Sequence, residues 1–201
     1  MTGFKKKIFT YKTLSKDTLS IVKKLPKFTS TYSSKRISKA FAQKIMLAVS
    51  VVNGCNYCSW VHSKLALIIG NMDSASIKNM LKTELLCSNI SEYEIVGLAY
   101  AQHYAATDKK PDPDATEIFY EFYGQQKAED IMLYMEAIFF ANLAGNTFDA
   151  FISRLKGEAA LNSNVVFEFI FFLLSAPLLA PLVPFVKRQL NKNKKEYCNK
   201  R

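Results

Sequence analysis

An all-α fold is predicted for this 201-residue chain by its apolar runs of helical length, the capping residues ahead of them, and a shortage of turn residues. Seven glycines and six prolines cannot supply the turn every ~8–12 residues that an all-β chain needs. An apolar content of 49 % suffices for one sizeable core, and the length requires no second domain. Composition divides the chain into a basic N-terminal arm (1–35), a helical domain (36–160) and an apolar C-terminal helix or strap with a basic tail (161–201).

Residues 1–35 are polar and lysine-rich, and Pro26 interrupts their broken apolar pattern, which predicts a partly ordered arm. FAQKIMLAVSVV, residues 41–52, is apolar almost all round, as in a helix enclosed by neighbours, and Asn53-Gly54 tolerates a left-handed stop. A second helix is predicted from Cys55 to Ile69, ended by Gly70-Asn71, and a third, capped by Asp73 or Ser74, through Leu86. Ser91 and Glu94 have capping-box spacing ahead of EYEIVGLAYAQHYAA. KKPDPD breaks that helix; Asp114 with Glu117 then opens a short one ending at Gly124. A long helix is expected from Gln126 to Ala144, with TFDAFISRL extending or restarting it after Gly145.

The net charge of +10 is concentrated at the ends. Residues 1–49 carry twelve Lys or Arg and one acid, Asp17; residues 50–155 carry seven against thirteen acids; residues 156–201 carry eight against three. Basic arms on an acidic body suit solvated tails, an acidic partner or an anionic membrane surface, and no recognition helix or RNA-binding signature points to nucleic acid. The N-terminal residues lack the continuous apolar run of about 7–15 residues that export requires, so a cytoplasmic location is expected. Thiols are kept reduced there, and a close cysteine pair is more often catalytic or metal-binding than a staple.

VVFEFIFFLLSAPLLAPLVPFV, residues 165–186, has Glu168 as its one charge and precedes KRQLNKNKKEYCNKR. Its length is near the ~20 residues of a membrane span, yet Pro177, Pro181 and Pro184 should break its second half. Three readings follow: burial in an oligomer, which the prolines favour, peripheral membrane contact, and a true span.

In NGCNYCSWVH, residues 53–62, Cys55 and Cys58 stand two residues apart and His62 follows four past the second. The pattern admits a redox dithiol, a zinc half-site or an accident of a buried helix. Were Cys55 to open a helix, Cys58 would lie in the first turn, where free N–H groups and the dipole favour thiolate. His62 would then stack over Cys58, close enough to take its proton. Such a thiolate can attack the O–O bond of a peroxide and become a sulfenic acid, which Cys55 can convert to a disulfide. An external dithiol must then reset the pair, and plain thiol–disulfide exchange needs the same equipment. Zinc needs about four ligands, and only Cys87 or His103 could add to these; haem attachment fails because Ser59 follows Cys58.

The run KIMLAVSVVNGCNYCSWVHSKLA resembles the alkyl hydroperoxidase D-like branch of the carboxymuconolactone decarboxylase family, whose signature is C-x-x-C-x-x-x-H after a buried helix ending in Asn-Gly-Cys. SEYEIVGLAYAQHYAATDKKPDPDA is similar to that family's helix and Pro-Asp-Pro linker, and AIFFANLAGNTFDAFI to its later apolar helix, so the likeness covers about residues 38–155. The resemblance implies an oligomeric helical bundle, commonly a trimer or hexamer, with no cofactor. It implies Cys58 as the peroxide-attacking sulfur, Cys55 as the resolving partner that exchanges with a lipoyl or thioredoxin-like dithiol, and His62 in a proton relay. The family's relay glutamate, twelve residues before the first cysteine, is replaced here by Gln43, which can orient an imidazole but cannot hold the proton. That departure keeps a second class in play, a non-enzymatic helical scaffold or membrane-surface protein with a vestigial pair.

Elsewhere, His103 reads as a satisfied surface or interface histidine and Cys87 as a small core hydrophobe. Trp60 and Tyr57 read as packing beside the cysteines, and Phe119, Tyr120, Phe122, Tyr123, Phe139 and Phe140 as core and contact surface.

Overall fold

The computed structural model describes residues 4–70, 72–85, 90–161, 163–181 and 184. These residues form eight helices and no strand: α1 (Tyr11–Ser34), α2 (Lys39–Val52), α3 (Asn56–Ile68), α4 (Ser74–Met80), α5 (Glu92–Ala106), α6 (Pro113–Tyr123), α7 (Gln125–Arg154) and α8 (Val165–Leu179). The all-helical class read from the sequence is therefore what the chain adopts.

The apolar α2 is the axis of the core. It packs against α3, α5 and α7, and its Ile45, Leu47, Ala48 and Val49 have no exposed surface. One charge of α2 enters this interior. Lys44, 4 % exposed, places Nζ 2.9 and 2.8 Å from the two oxygens of Glu94. Glu94 also closes the predicted capping box, accepting the Ser91 N–H at 3.1 Å, so one carboxylate both starts α5 and ties it to α2.

Residues 11–34, expected as a partly ordered arm, form the 24-residue α1 instead. Thr10 and Thr13 close a capping box at its start. Pro26 lies inside the helix and is exposed, as is Val22, whose carbonyl has no helical N–H partner because proline lacks one. Charge complementarity orders the segment against α7. Lys24 Nζ lies 2.6 Å from Glu136, Lys27 pairs with Glu129, and Thr31 and Arg36 hold the buried Asp130 at 2.6 and 2.5 Å. Leu14 and Phe28 add apolar contacts with the main core.

One further boundary departs from expectation, and one open alternative is decided. α4 stops at Met80, six residues before Leu86, because Lys82, Thr83 and Glu84 turn back onto Asn79 and Met80 and Thr83 takes φ +66°. α7 passes Gly145 unbroken for 30 residues, because the absent side chain there serves a close approach rather than a stop.

α8 packs along α7 through Phe148 and Phe172, stacked 4.8 Å apart, and buries Glu168 completely against Arg154 at 2.6 and 3.0 Å. It runs through Pro177, which lies near its end, to Leu179. Among the described residues no helix is long and apolar enough to cross a membrane, so the spanning reading of 165–186 is not borne by α8. Residues 182, 183, 185 and 186 lie outside the described residues. The outer face of α8, with Val165, Val166, Phe169, Ile170, Leu173 and Leu174, is exposed.

α5 and α6 meet where Gly97 donates its N–H to the Tyr123 hydroxyl at 2.9 Å. A Cβ there would stand 2.8 Å from both that oxygen and Phe41 Cζ. Gly97→Ala is expected to destabilise the fold by about 1–3 kcal/mol through overpacking. Urea denaturation should show a lower midpoint at unchanged slope.

Candidate active site

The site begins with the turn between α2 and α3. Gly54 takes φ +66°, the left-handed conformation that Asn53-Gly54 predicted, and Cys55 donates its N–H to Ser50 O at 3.1 Å. α7 clamps the turn from behind. Asn146 Nδ2 donates to Asn53 O at 2.8 Å and to Lys7 O at 3.0 Å, and Ser50 Oγ lies 3.0 Å from Asn142 Oδ1. The preceding N-terminal strap joins the same helix, since Phe9 donates its N–H to Thr147 Oγ1 at 2.9 Å.

Cys55 is not the first helical residue but the N-cap of α3, and its Sγ accepts the Cys58 N–H at 3.4 Å. The structure thus puts the helix-start N–H on the sulfur of Cys55, whereas the sequence reading assigned that electrostatic help to Cys58. The two cysteines form a disulfide with α-carbons 5.4 Å apart. Cys55 has no exposed surface, while Cys58 is partly exposed. Gly145 of α7 lies directly behind, where a Cβ would stand 3.0 Å from Cys55 Sγ.

Tyr57 and Trp60 pack beside the pair as expected. Tyr57 turns its edge to Phe148 and donates its hydroxyl proton to Asp149 Oδ1 at 2.6 Å, while Lys6 Nζ holds Oδ2 at 2.7 Å. Burial first, and the hydrogen bond to Asp149 second, raise the Tyr57 pKa well above that of a free phenol, so it stays a donor.

His62 and Gln43 come together as read: His62 Nδ1 and Gln43 Oε1 are 2.7 Å apart across the α2–α3 interface. The amide oxygen accepts, so Nδ1 carries the proton and Nε2 keeps its lone pair. Cys58 and His62 lie one turn apart on one face of α3. Burial lowers the His62 pKa to about 4, so the ring is neutral rather than cationic at ordinary pH.

The remaining expectations resolve separately. His103 Nε2 accepts the Asp112 N–H at 3.0 Å, which fixes the linker before α6 and removes it from any metal set. Cys87 lies outside the described residues, among which no group of three or more Cys, His, Asp or Glu side chains could hold a metal. A cavity of about 70 Å³ lined by Asp17, Tyr104, Lys109 and Glu136 is separate from the cysteines.

Sequence reasoning missed Asn142, Asn146 and Asp149. Their signal was present: polar residues at helical spacing in ANLAGNTFDAF, an otherwise apolar run, mark one polar face, of which Asn142 and Asn146 are buried and Asp149 partly so.

Comparison with protein-family models, with curated proteins and with solved structures gives no match.

A neutral, buried His62 has a thermodynamic signature. The unfolded chain binds a proton near pH 6.5 that the native state refuses until about pH 4. Its contribution to stability is therefore complete above the unfolded pKa and declines as pH falls from 6.5 through 4. NMR titration should find one of the two imidazoles, absent in His62→Gln, unprotonated down to about pH 5. A midpoint near 6.5 would contradict this burial.

Proposed function

We propose that this protein is a cysteine-dependent hydroperoxide reductase, a thiol–disulfide oxidoreductase of antioxidant defence. The carrying observation is the Cys55–Cys58 pair at the start of α3, with a neutral base on the same helix face whose free nitrogen is set by Gln43. His62 takes the Cys58 thiol proton, and the thiolate attacks the distal oxygen of the hydroperoxide. The O–O bond breaks, Cys58 becomes a sulfenic acid, and the alkoxide leaves as alcohol after receiving a proton. The Cys55 thiolate then attacks the Cys58 sulfur, releasing water and forming the disulfide. Two thiols and one hydroperoxide thus give one disulfide, one alcohol and one water.

An external dithiol, lipoyl or thioredoxin-like, returns the two electrons. The protein fits the alkyl hydroperoxidase D-like branch in its helical class and in the order of its motif, and we place it there as a cytoplasmic homo-oligomer, trimer or hexamer. The exposed apolar face of α8 favours such assembly and equally supports the second reading, a scaffold with a vestigial pair.

Gln43 is a positioning residue, since it acts through His62. Gln43→Glu adds a carboxylate where the amide now accepts, and it should raise hydroperoxide turnover near neutral pH and move the pH profile. An unchanged rate and profile would remove this position from the proton path. Cys58→Ser should lose at least about a hundredfold in hydroperoxide consumption with a dithiol reductant. Retention of the rate in Cys58→Ser, with soluble folded protein, would leave the scaffold reading.

A further inference from the structure

The oxidised pair presents its two sulfurs unequally. Cys55 is 0 % exposed, walled by Gly145 of α7 and by the packed ring of Tyr57, whereas Cys58 is partly open to solvent. Thiol–disulfide exchange requires the incoming thiolate to reach the sulfur that it attacks, and it proceeds fastest when the departing sulfur is the better stabilised anion. Both requirements select the same direction. Cys58 is the reachable sulfur. Cys55, as N-cap of α3, leaves into a position where the Cys58 N–H at 3.4 Å and the positive end of a 13-residue helix meet its charge.

We propose that the reducing dithiol enters at Cys58 and expels Cys55, so that the mixed disulfide with the reductant forms on Cys58. This rests on the oxidoreductase reading above and reverses the assignment carried by the resemblance, in which Cys55 exchanges with the reductant. A thiolate of the reductant forms a bond to Cys58 Sγ as the Cys55–Cys58 bond breaks, with the electron pair going to Cys55. The second thiolate of the reductant then attacks its own partner sulfur, releasing Cys58 as thiolate and closing the reductant's disulfide. Two electrons pass from the dithiol to the pair, and the two cysteines take up two protons.

A single sulfur then meets both reactants. Cys58 receives the oxygen of the hydroperoxide in one half-reaction and the sulfur of the reductant in the other, while Cys55 never contacts either. The reductant's docking surface is accordingly the exposed rim around Cys58, with Asn56 exposed and Trp60 partly so, rather than the buried start of the turn.

The direction is readable in the unmodified chain. Full-length protein oxidised with diamide is exposed briefly to sulfite, which cleaves a disulfide into one S-sulfonate and one thiolate. The reaction is quenched in acidic denaturant with N-ethylmaleimide, and the two cysteines are distinguished by fragmentation of the peptide that carries both. The expected result is S-sulfonate on Cys58 and maleimide on Cys55 in an excess of roughly tenfold or more. S-sulfonate on Cys55, an even split, or no cleavage under conditions that cleave oxidised glutathione would each overturn the proposal. The readout involves no peroxide, so an absence of peroxidase turnover and a wrong direction of reduction are separate outcomes.

Discussion

The close approach of α7 to the α2–α3 turn is the constraint on which the rest of the site depends. Three consecutive decisions along one face of α7 produce it. Asn142 meets Ser50, Gly145 leaves room for the Cys55 sulfur, and Asn146 holds the carbonyl of Asn53. Because the turn is held, Cys55 is buried at the mouth of α3 and acts as its cap, and Cys58 is left as the partly exposed cysteine of the pair. Each buried amide has one atom paired across this contact and one without a partner, so their placement on an apolar helix is costly and specific to it.

The same contact organises the basic N-terminus. The strap before α1 shares Asn146 with the turn and also bonds Thr147, and Lys6 shares Asp149 with Tyr57. α1 then continues along α7 on ion pairs with Glu129 and Glu136 and a Thr31 hydrogen bond to Asp130, which Arg36, just beyond α1, also pairs. The uneven charge distribution thus has a structural outcome: basic residues of the first segment neutralise the acidic face of the long helix, and surface pairs of this kind act together as register marks more than as individual stabilisers.

Much of the fold was legible because its signals are local. The Ser91–Glu94 box, the Asn53-Gly54 turn and the all-round apolarity of α2 each act through neighbouring residues, and each appears in place. The Gln43–His62 contact was also legible, because the motif placed the two residues on adjoining helices. What escaped depends on tertiary partners. α1 reads as irregular until the acids of α7 are opposite it, and whether the long helix extends or restarts at Gly145 stays open until a sulfur is found against it. Whether Cys55 caps α3 or opens it is a shift of one residue, which periodicity does not resolve and which decides the sulfur that receives the helix-start N–H.

The chemistry assigned to this arrangement separates roles by exposure and by charge. In the chemistry we propose, the partly exposed Cys58, one helical turn from a neutral imidazole, is the nucleophile, and the buried Cys55 on the helix cap is the internal partner. The most direct measurement is the intact mass of the reduced native protein before and after one equivalent of hydroperoxide. The account predicts loss of two hydrogens per chain, with Cys55 and Cys58 linked in the peptide map and the assembly intact. Two free thiols after that exposure, in folded protein, would contradict it.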